Sequence, residues 1–263
     1  MNSIKIFKIG GNVVDSPEAL ERFLDEFAAA EGLKALIHGG GKEATRLSKR
    51  LEIATTMIGG RRVTDRATLD VVTMVYAGLI NKRIVAGLQA RGCDAIGLTG
   101  ADAHVITATR RSPEPVDYGY VGDIGPDGVD TSRILSFLKE GLTPVFCAIC
   151  CDGKGGLLNC NADSVASAVA KAMARRETTD LIYCFEKAGV LRDVDDPASV
   201  IAEITRATFD TLRAEGVIAD GMIPKVENAL NAVDCGVRSV TIRSSEDINI
   251  PSGTKITKRP NGL

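Results

Sequence analysis

Short apolar runs that stop at glycine, each followed by a helical pattern, constrain the fold of this chain more than any other feature. Ile4–Ile9 runs into Gly10-Gly11, and Ala35-Leu36-Ile37-His38 runs into Gly39-Gly40-Gly41. Between them, Ser16-Pro17-Glu18 supplies a capping hydroxyl, a proline at the first helical position and early negative charge. Leu20, Phe23, Leu24 and Phe27 then recur at i, i+3, i+4 and i+7, which makes one buried helix face. A second helix is expected after the triple glycine, with Ala44, Leu47 and Leu51 on its inner side. Strands alternating with helices imply a mostly parallel sheet covered on both faces. The expected fold class is therefore α/β, a three-layer αβα sandwich around a mostly parallel central sheet.

The rest of the chain continues the theme. Residues 67–91 read as one long helix stopped by Gly92, with Leu69, Val72, Val75, Leu79 and Leu88 apolar. Ala95–Leu98, 143–149, Leu181–Phe185 and Ser239–Arg243 read as strands. Val105–Thr109 and Tyr118–Ile124 suggest an antiparallel section before the turn Gly125-Pro126-Asp127-Gly128, and Asp152–Gly156 is a hairpin turn signal. Further helices are expected around Ile134–Leu138, over Asn161–Arg176 and from near Pro224 to near Gly236. No linker divides the chain. Ligands in such sheets bind beyond the carboxyl ends of the strands, where both glycine turns fall.

Composition narrows the partners. With 263 residues and a net charge of −2, the chain has no global electrostatic drive toward nucleic acid or anionic membrane. Tryptophan is absent and aromatics make up 4%, which leaves little for stacking on single-stranded bases. No apolar run reaches the length of a bilayer span and no targeting peptide is evident, so a cytoplasmic protein without membrane or nucleic-acid partners is expected. Seven cysteines do not form a secreted disulfide framework. Cys147 and Cys150 would point to opposite faces if their strand continues, and no second CxxC completes a metal site, so no protein metal ligand is expected.

The chemistry concentrates on two lysines. Lys8 precedes Gly10-Gly11, and Lys225 ends Asp220-Gly221-Met222-Ile223-Pro224-Lys225. Glycine lets backbone N–H groups approach an anion closely, and lysine adds a full positive charge. Together with the triple glycine and Asn159-Cys160-Asn161-Ala162-Asp163, the set reads as machinery for holding a transferable phosphate. Gly39-x-Gly41-x-x-Ala44 also satisfies the loose dinucleotide fingerprint. No strand ending in an acidic residue follows at about 20 residues, and Asp65 lies in a basic loop. The P-loop pattern fails because Lys42 precedes Glu43 and not a hydroxyl residue.

Lys8-Ile9-Gly10-Gly11, His38-Gly39-Gly40-Gly41, Gly60-Arg61-Arg62-Val63-Thr64, Asn159–Asp163 and Asp220–Lys225, in that order, closely resemble the acetylglutamate kinases of the amino acid kinase family. The resemblance spans about residues 4–243, and Tyr120-Val121-Gly122 and Gly216–Gly221 also look like that family's segments. It implies transfer of phosphate from ATP to the γ-carboxylate of an N-acyl-L-glutamate, an early step of arginine synthesis, by a homodimer or larger assembly. It implies that Lys8 and Lys225 stabilise the transferring phosphoryl group and that Asp163 orients them. Gly40, Gly41, Arg62 and Asn159 would bind the acidic substrate. Gly10, Gly11, Gly189, Leu191 and Asp220 would bind nucleotide, with Mg²⁺ carried by the nucleotide phosphates. About 1–175 would form the acylglutamate lobe and about 176–263 the ATP lobe.

Two departures stand out. Cys184-Phe185-Glu186-Lys187-Ala188-Gly189-Val190-Leu191 replaces the family's usual Ser/Thr-Asp stretch, and Lys42 adds a cation after the triple glycine, where a succinyl group would suit it. A carbamate, aspartate or glutamate kinase of the same fold and a non-catalytic sensor are the alternatives.

Overall fold

The computed structural model describes residues 3–219 and 222–258. Eight strands form the central sheet: β1 (Ile4–Ile9), β2 (Lys34–His38), β3 (Ala95–Leu98), β4 (Thr143–Cys147), β5 (Thr179–Phe185), β6 (Glu203–Ile204), β7 (Ser239–Ser244) and β8 (Thr254–Ile256). Their order is β6-β8-β7-β5-β1-β2-β4-β3, and every junction is parallel except β7–β8. The mostly parallel sheet expected from the alternation is therefore present. β1 is central and buried on both faces, as expected of a strand made of apolar residues around Lys5 and Lys8.

Helices cover both faces. One layer contains α1 (Gly11–Asp15), α2 (Pro17–Ala29), α3 (Gly41–Arg50) and the long α4 (Arg66–Gln89). The other contains α5 (Thr131–Lys139), α6 (Ala162–Ala174), α7 (Arg206–Ala214) and α8 (Met222–Asp234). Ser16 caps α2 by accepting from the Ala19 N–H, and Leu20, Phe23, Leu24 and Phe27 are buried as their spacing predicts. In α3 the prediction holds for Ala44, but Leu51 ends the helix and is exposed.

The α4 helix departs from its sequence pattern in two ways. Met74–Ile80 is a π segment, in which the Asn81 N–H reaches back to the Tyr76 carbonyl. The wider turn carries Ile80 to the inner face, and Leu79, expected inside, is 38% exposed. The helix is also long and apolar enough, by length and composition, to cross a membrane, contrary to the expectation that no segment would be. Its apolar residues Leu69, Val72, Val75, Ile84 and Leu88 belong to the core.

The expected strand over 143–149 breaks at Ala148, whose carbonyl accepts from the Cys160 N–H. Ile149–Cys151 then pairs antiparallel with Leu157–Asn159 across the Asp152–Gly156 turn. Cys147 and Cys150 fall in separate strands as buried free thiols. Val105–Thr109 does not form the expected strand. Successive N–H groups there bond different partners: Ile106 to Gly100, Thr107 to Gly128 and Ala108 to Cys151. Ile106 and Thr107 make isolated bridges to Val129 and Cys151, and Thr109–Arg110 pairs antiparallel with Gly122–Asp123. The short elements β6, β8 and α7 carry no strong sequence pattern and were not expected.

Candidate active site

Lys8 is the penultimate residue of β1, just before Gly10-Gly11, in register with Ile37 of β2 and Tyr183 of β5. Its Nζ lies 2.7 Å from Asp163 Oδ1, with side-chain exposures of 8% and 31%. Asp163 is in the first turn of α6, which Asn161 caps by accepting from the Ser164 N–H. Negative charge in that turn is favoured by the helix dipole, so the carboxylate is placed by its own helix as well as by the lysine. Asp163 Oδ1 is buried, and the Lys8 ammonium is the charge that compensates it.

Lys225 lies on the exposed side of α8, far along the chain from Lys8. Its Nζ is 4.4 Å from the Phe185 ring centroid, and Lys8 Nζ is 5.0 Å from the same centroid. Asp163 thus holds Lys8, and Phe185 meets both lysines. Asp220 lies outside the described residues.

Arg62 is buried although charged. Its Nη2 donates to the Gly41 carbonyl and to Thr45 Oγ1, each at 2.8 Å, and its guanidinium also reaches the Tyr76 hydroxyl. Burial pushes the Tyr76 phenol up, and the Arg62 charge opposes this. Among the described residues Arg62 has no carboxylate partner within 4.0 Å. A buried cation of this kind requires a compensating anion, and a ligand carboxylate meets the need. The Asn159 amide donates to Thr64 Oγ1, which in turn donates to the Arg62 carbonyl. Asn159 is therefore tied to the same loop as Arg62.

The glycine turns are tight because space is short. A Cβ on Gly40 would collide with Ile80 Cδ1 and lie 3.1 Å from Tyr76, so the π segment of α4 presses directly on the triple glycine. A Cβ on Gly10 would lie 3.1 Å from Phe185 Cδ1.

Beneath the triple glycine sits His38, fully buried. Its Nε2 faces Asn81 Nδ2, a donor, so Nδ1–H donates to the Gly39 carbonyl at 2.8 Å. Burial lowers its pKa from 6.5 to about 4. The unfolded chain binds a proton near pH 6.5 and the folded chain only near pH 4, so this group's contribution is present above pH 6.5 and lost as pH falls toward 4. The loss should reach about 3 kcal/mol. Urea unfolding at pH 7 and pH 4.5 should show a steeper acid loss for the native chain than for His38→Asn. Equal losses would refute a buried neutral imidazole.

A cavity of about 240 Å³ brings together Lys8, Gly11, Gly40, Gly41, Arg62 and Asn159. Arg61, Tyr76 and Val121 also line it, and the sequence reading had assigned them no role there. Tyr76 lies seven residues after Leu69 on the buried face, so periodicity marks it as core and carries no sign that it lines the site. Asp163 lines a neighbouring cavity of about 560 Å³ with Ser164, Lys171 and Asn228, so the Lys8–Asp163 pair stands between the two. Gly189 and Leu191 belong to neither. A Cβ on Gly189 would lie 2.7 Å from Thr254 Oγ1, and Leu191 bridges to Val200. Lys42 donates to Asn12 Oδ1 and does not line the smaller cavity. Among the described residues no group of three or more His, Cys, Asp or Glu could hold a metal ion.

This arrangement matches known proteins over nearly its whole length. The amino acid kinase family matches residues 3–244. A Phocaeicola vulgatus protein named acetylglutamate kinase is 49% identical, covering 97% of this chain and 98% of its own. A Bacteroides thetaiotaomicron protein of the same name is also 49% identical, with the same coverage. The crystal structure of smu.665 from Streptococcus mutans superposes with a TM-score of 0.77 at 28% identity, covering 97% of this chain and 99% of that one. The strand–glycine–helix architecture and these matches agree: the chain belongs to the amino acid kinase family.

Proposed function

We propose that the protein transfers the γ-phosphoryl group of ATP to the γ-carboxylate of an N-acylated glutamate, giving ADP and an acyl phosphate in arginine synthesis. The observation that carries this reading is the buried, carboxylate-free Arg62 in one cavity with Lys8 and the glycine turns. Such a cavity suits a small dianion whose one carboxylate meets Arg62 and whose other end meets Lys8. The acetylglutamate kinase relatives support it.

The mechanism needs no general base. A side-chain carboxylate with a reference pKa of ~4.3 is ionised at pH 7 and attacks phosphorus directly. The new O–P bond forms as the bond to the bridging oxygen of ADP breaks, and ADP leaves with that electron pair. Alignment and neutralisation of spreading negative charge then set the rate. Lys8 and Lys225 supply positive charge at the transferring group, and Asp163 holds the Lys8 stem. Gly10, Gly11, Gly40 and Gly41 offer backbone donors, and Arg62 and Asn159 hold the acidic substrate. Mg²⁺ rides on the nucleotide phosphates, whose hard oxygens suit it.

On this reading about 1–175 binds acylglutamate and about 176–263 binds ATP, with Gly189, Leu191 and Asp220 on the nucleotide side. The enzyme works in the cytoplasm as a homodimer. Acetyl is the acyl group the relatives' names support. A succinyl group would bring the substrate a third carboxylate, and Arg61, which lines the cavity, is better placed to meet it than Lys42, which Asn12 engages.

Trapping the acyl phosphate with hydroxylamine tests the proposal. ATP with N-acetylglutamate should give hydroxamate, and carbamate, aspartate or unsubstituted glutamate should give little. No product with any acceptor would support the sensor reading. Comparing kcat/KM for the acetyl and succinyl substrates decides the acyl group, and equal or better use of acetyl would end the succinyl reading.

A further inference from the structure

The departure at Phe185 has a place in the geometry. Phe185 ends β5 and stacks on Tyr183, with centroids 6.1 Å apart and planes 12° from parallel. Its edge packs against Gly10, where a Cβ would lie 3.1 Å away, so the ring is wedged at the phosphate-facing turn. From this position its π system lies within cation–π reach of Lys8 and Lys225, which come from β1 and α8. Lys8 also has Asp163, whereas Lys225 has no carboxylate within 4.0 Å among the described residues. Among the described residues its ammonium group meets the Phe185 ring.

Two ammonium groups meant for one phosphoryl group repel each other until that group arrives. A carboxylate would hold them together but would compete with the phosphate for their charge. An aromatic face attracts both cations through its quadrupole and occupies none of their N–H donors. We propose that Phe185 is a positioning residue for phosphoryl transfer, its ring gathering Lys8 and Lys225 at the glycine turn without itself taking a hydrogen-bond donor from either. The inference rests on the reading of these lysines as the phosphoryl-binding pair.

The test replaces Phe185, in the full-length enzyme, by mono-, di- and trifluorophenylalanine, which drain the ring's negative face with little change in shape. Phe185→Leu and Phe185→Tyr are made beside them. The hydroxamate assay should show kcat falling stepwise with each fluorine, reaching roughly a tenfold loss for the trifluoro variant, about 1.4 kcal/mol in the barrier. KM for the acylglutamate should stay within about twofold, and Phe185→Tyr should keep most of the activity. A kcat that is flat across the fluorinated series would overturn the proposal, even if Phe185→Leu is inactive, since only packing would then matter. A native enzyme that makes no acyl phosphate would instead overturn the functional reading, and this inference with it.

Discussion

Lys8→Ala is expected to lower kcat by roughly 10²–10³ while leaving KM for the acylglutamate within a fewfold, by analogy with loss of one preorganised charge donor. The physical reason is the setting of the ammonium group. Lys8 is buried at the end of the central strand, its stem held by the Asp163 ion pair at 2.7 Å and its charge directed into the cavity of the glycine turns. Charge that builds up on phosphoryl oxygens there meets a cation that need not reorganise, and low water content strengthens the attraction. Lys225→Ala should act in the same direction by a smaller factor, because Lys225 is exposed and water can substitute in part. Steady-state kinetics with circular dichroism as a control for folding checks both. An unchanged kcat for Lys8→Ala would remove the phosphoryl-transfer role from the centre of the site.

Arg62→Ala is expected to act on binding, raising KM for the acidic substrate by roughly 10- to 100-fold with a smaller change in kcat. The buried guanidinium already spends one nitrogen on Gly41 and Thr45, so its orientation is set before substrate arrives. Nη1 reaches Thr55 Oγ1 only at a long 3.5 Å, so a carboxylate can compete for it and for the full charge. Arg62→Lys should recover little, because an ammonium cannot reproduce the planar fork or reach Gly41 and Thr45 together. A loss confined to kcat would place Arg62 at the reacting group instead, and the substrate would then lie in the opposite sense.

Much of this site was legible because its parts sit at places that local rules mark. Gly10-Gly11 and the triple glycine follow apolar strands, and Asn161 and Asp163 are a cap and a first-turn acid of α6. These are properties of a few adjacent residues. Tyr76 and Phe185 were not legible as site residues for different reasons. Tyr76, seven residues after Leu69, reads as one more apolar position on a helix, and only the fold sets it and Ile80 against Gly40. Phe185 reads as the end of a strand in a stretch that departs from its family, and its meaning depends on side chains from β1 and α8. Leu79, expected inside, is exposed because the wide turn shifts the positions that follow Tyr76, and Ile80 takes the inner place.

The sequence by itself determined the α/β class, the mostly parallel character of the sheet and the two glycine turns at the carboxyl ends of its strands. Strand and helix periods, caps and glycine chemistry act over short stretches, so each leaves a local trace. The tertiary structure alone decided the partners: Lys8 with Asp163, Arg62 with Gly41 and Thr45, Asn159 with Thr64, and two distant lysines on one aromatic ring. Those contacts join elements separated by tens to hundreds of residues. Their geometry depends on how strands are ordered and how one helix widens, and no local pattern encodes either.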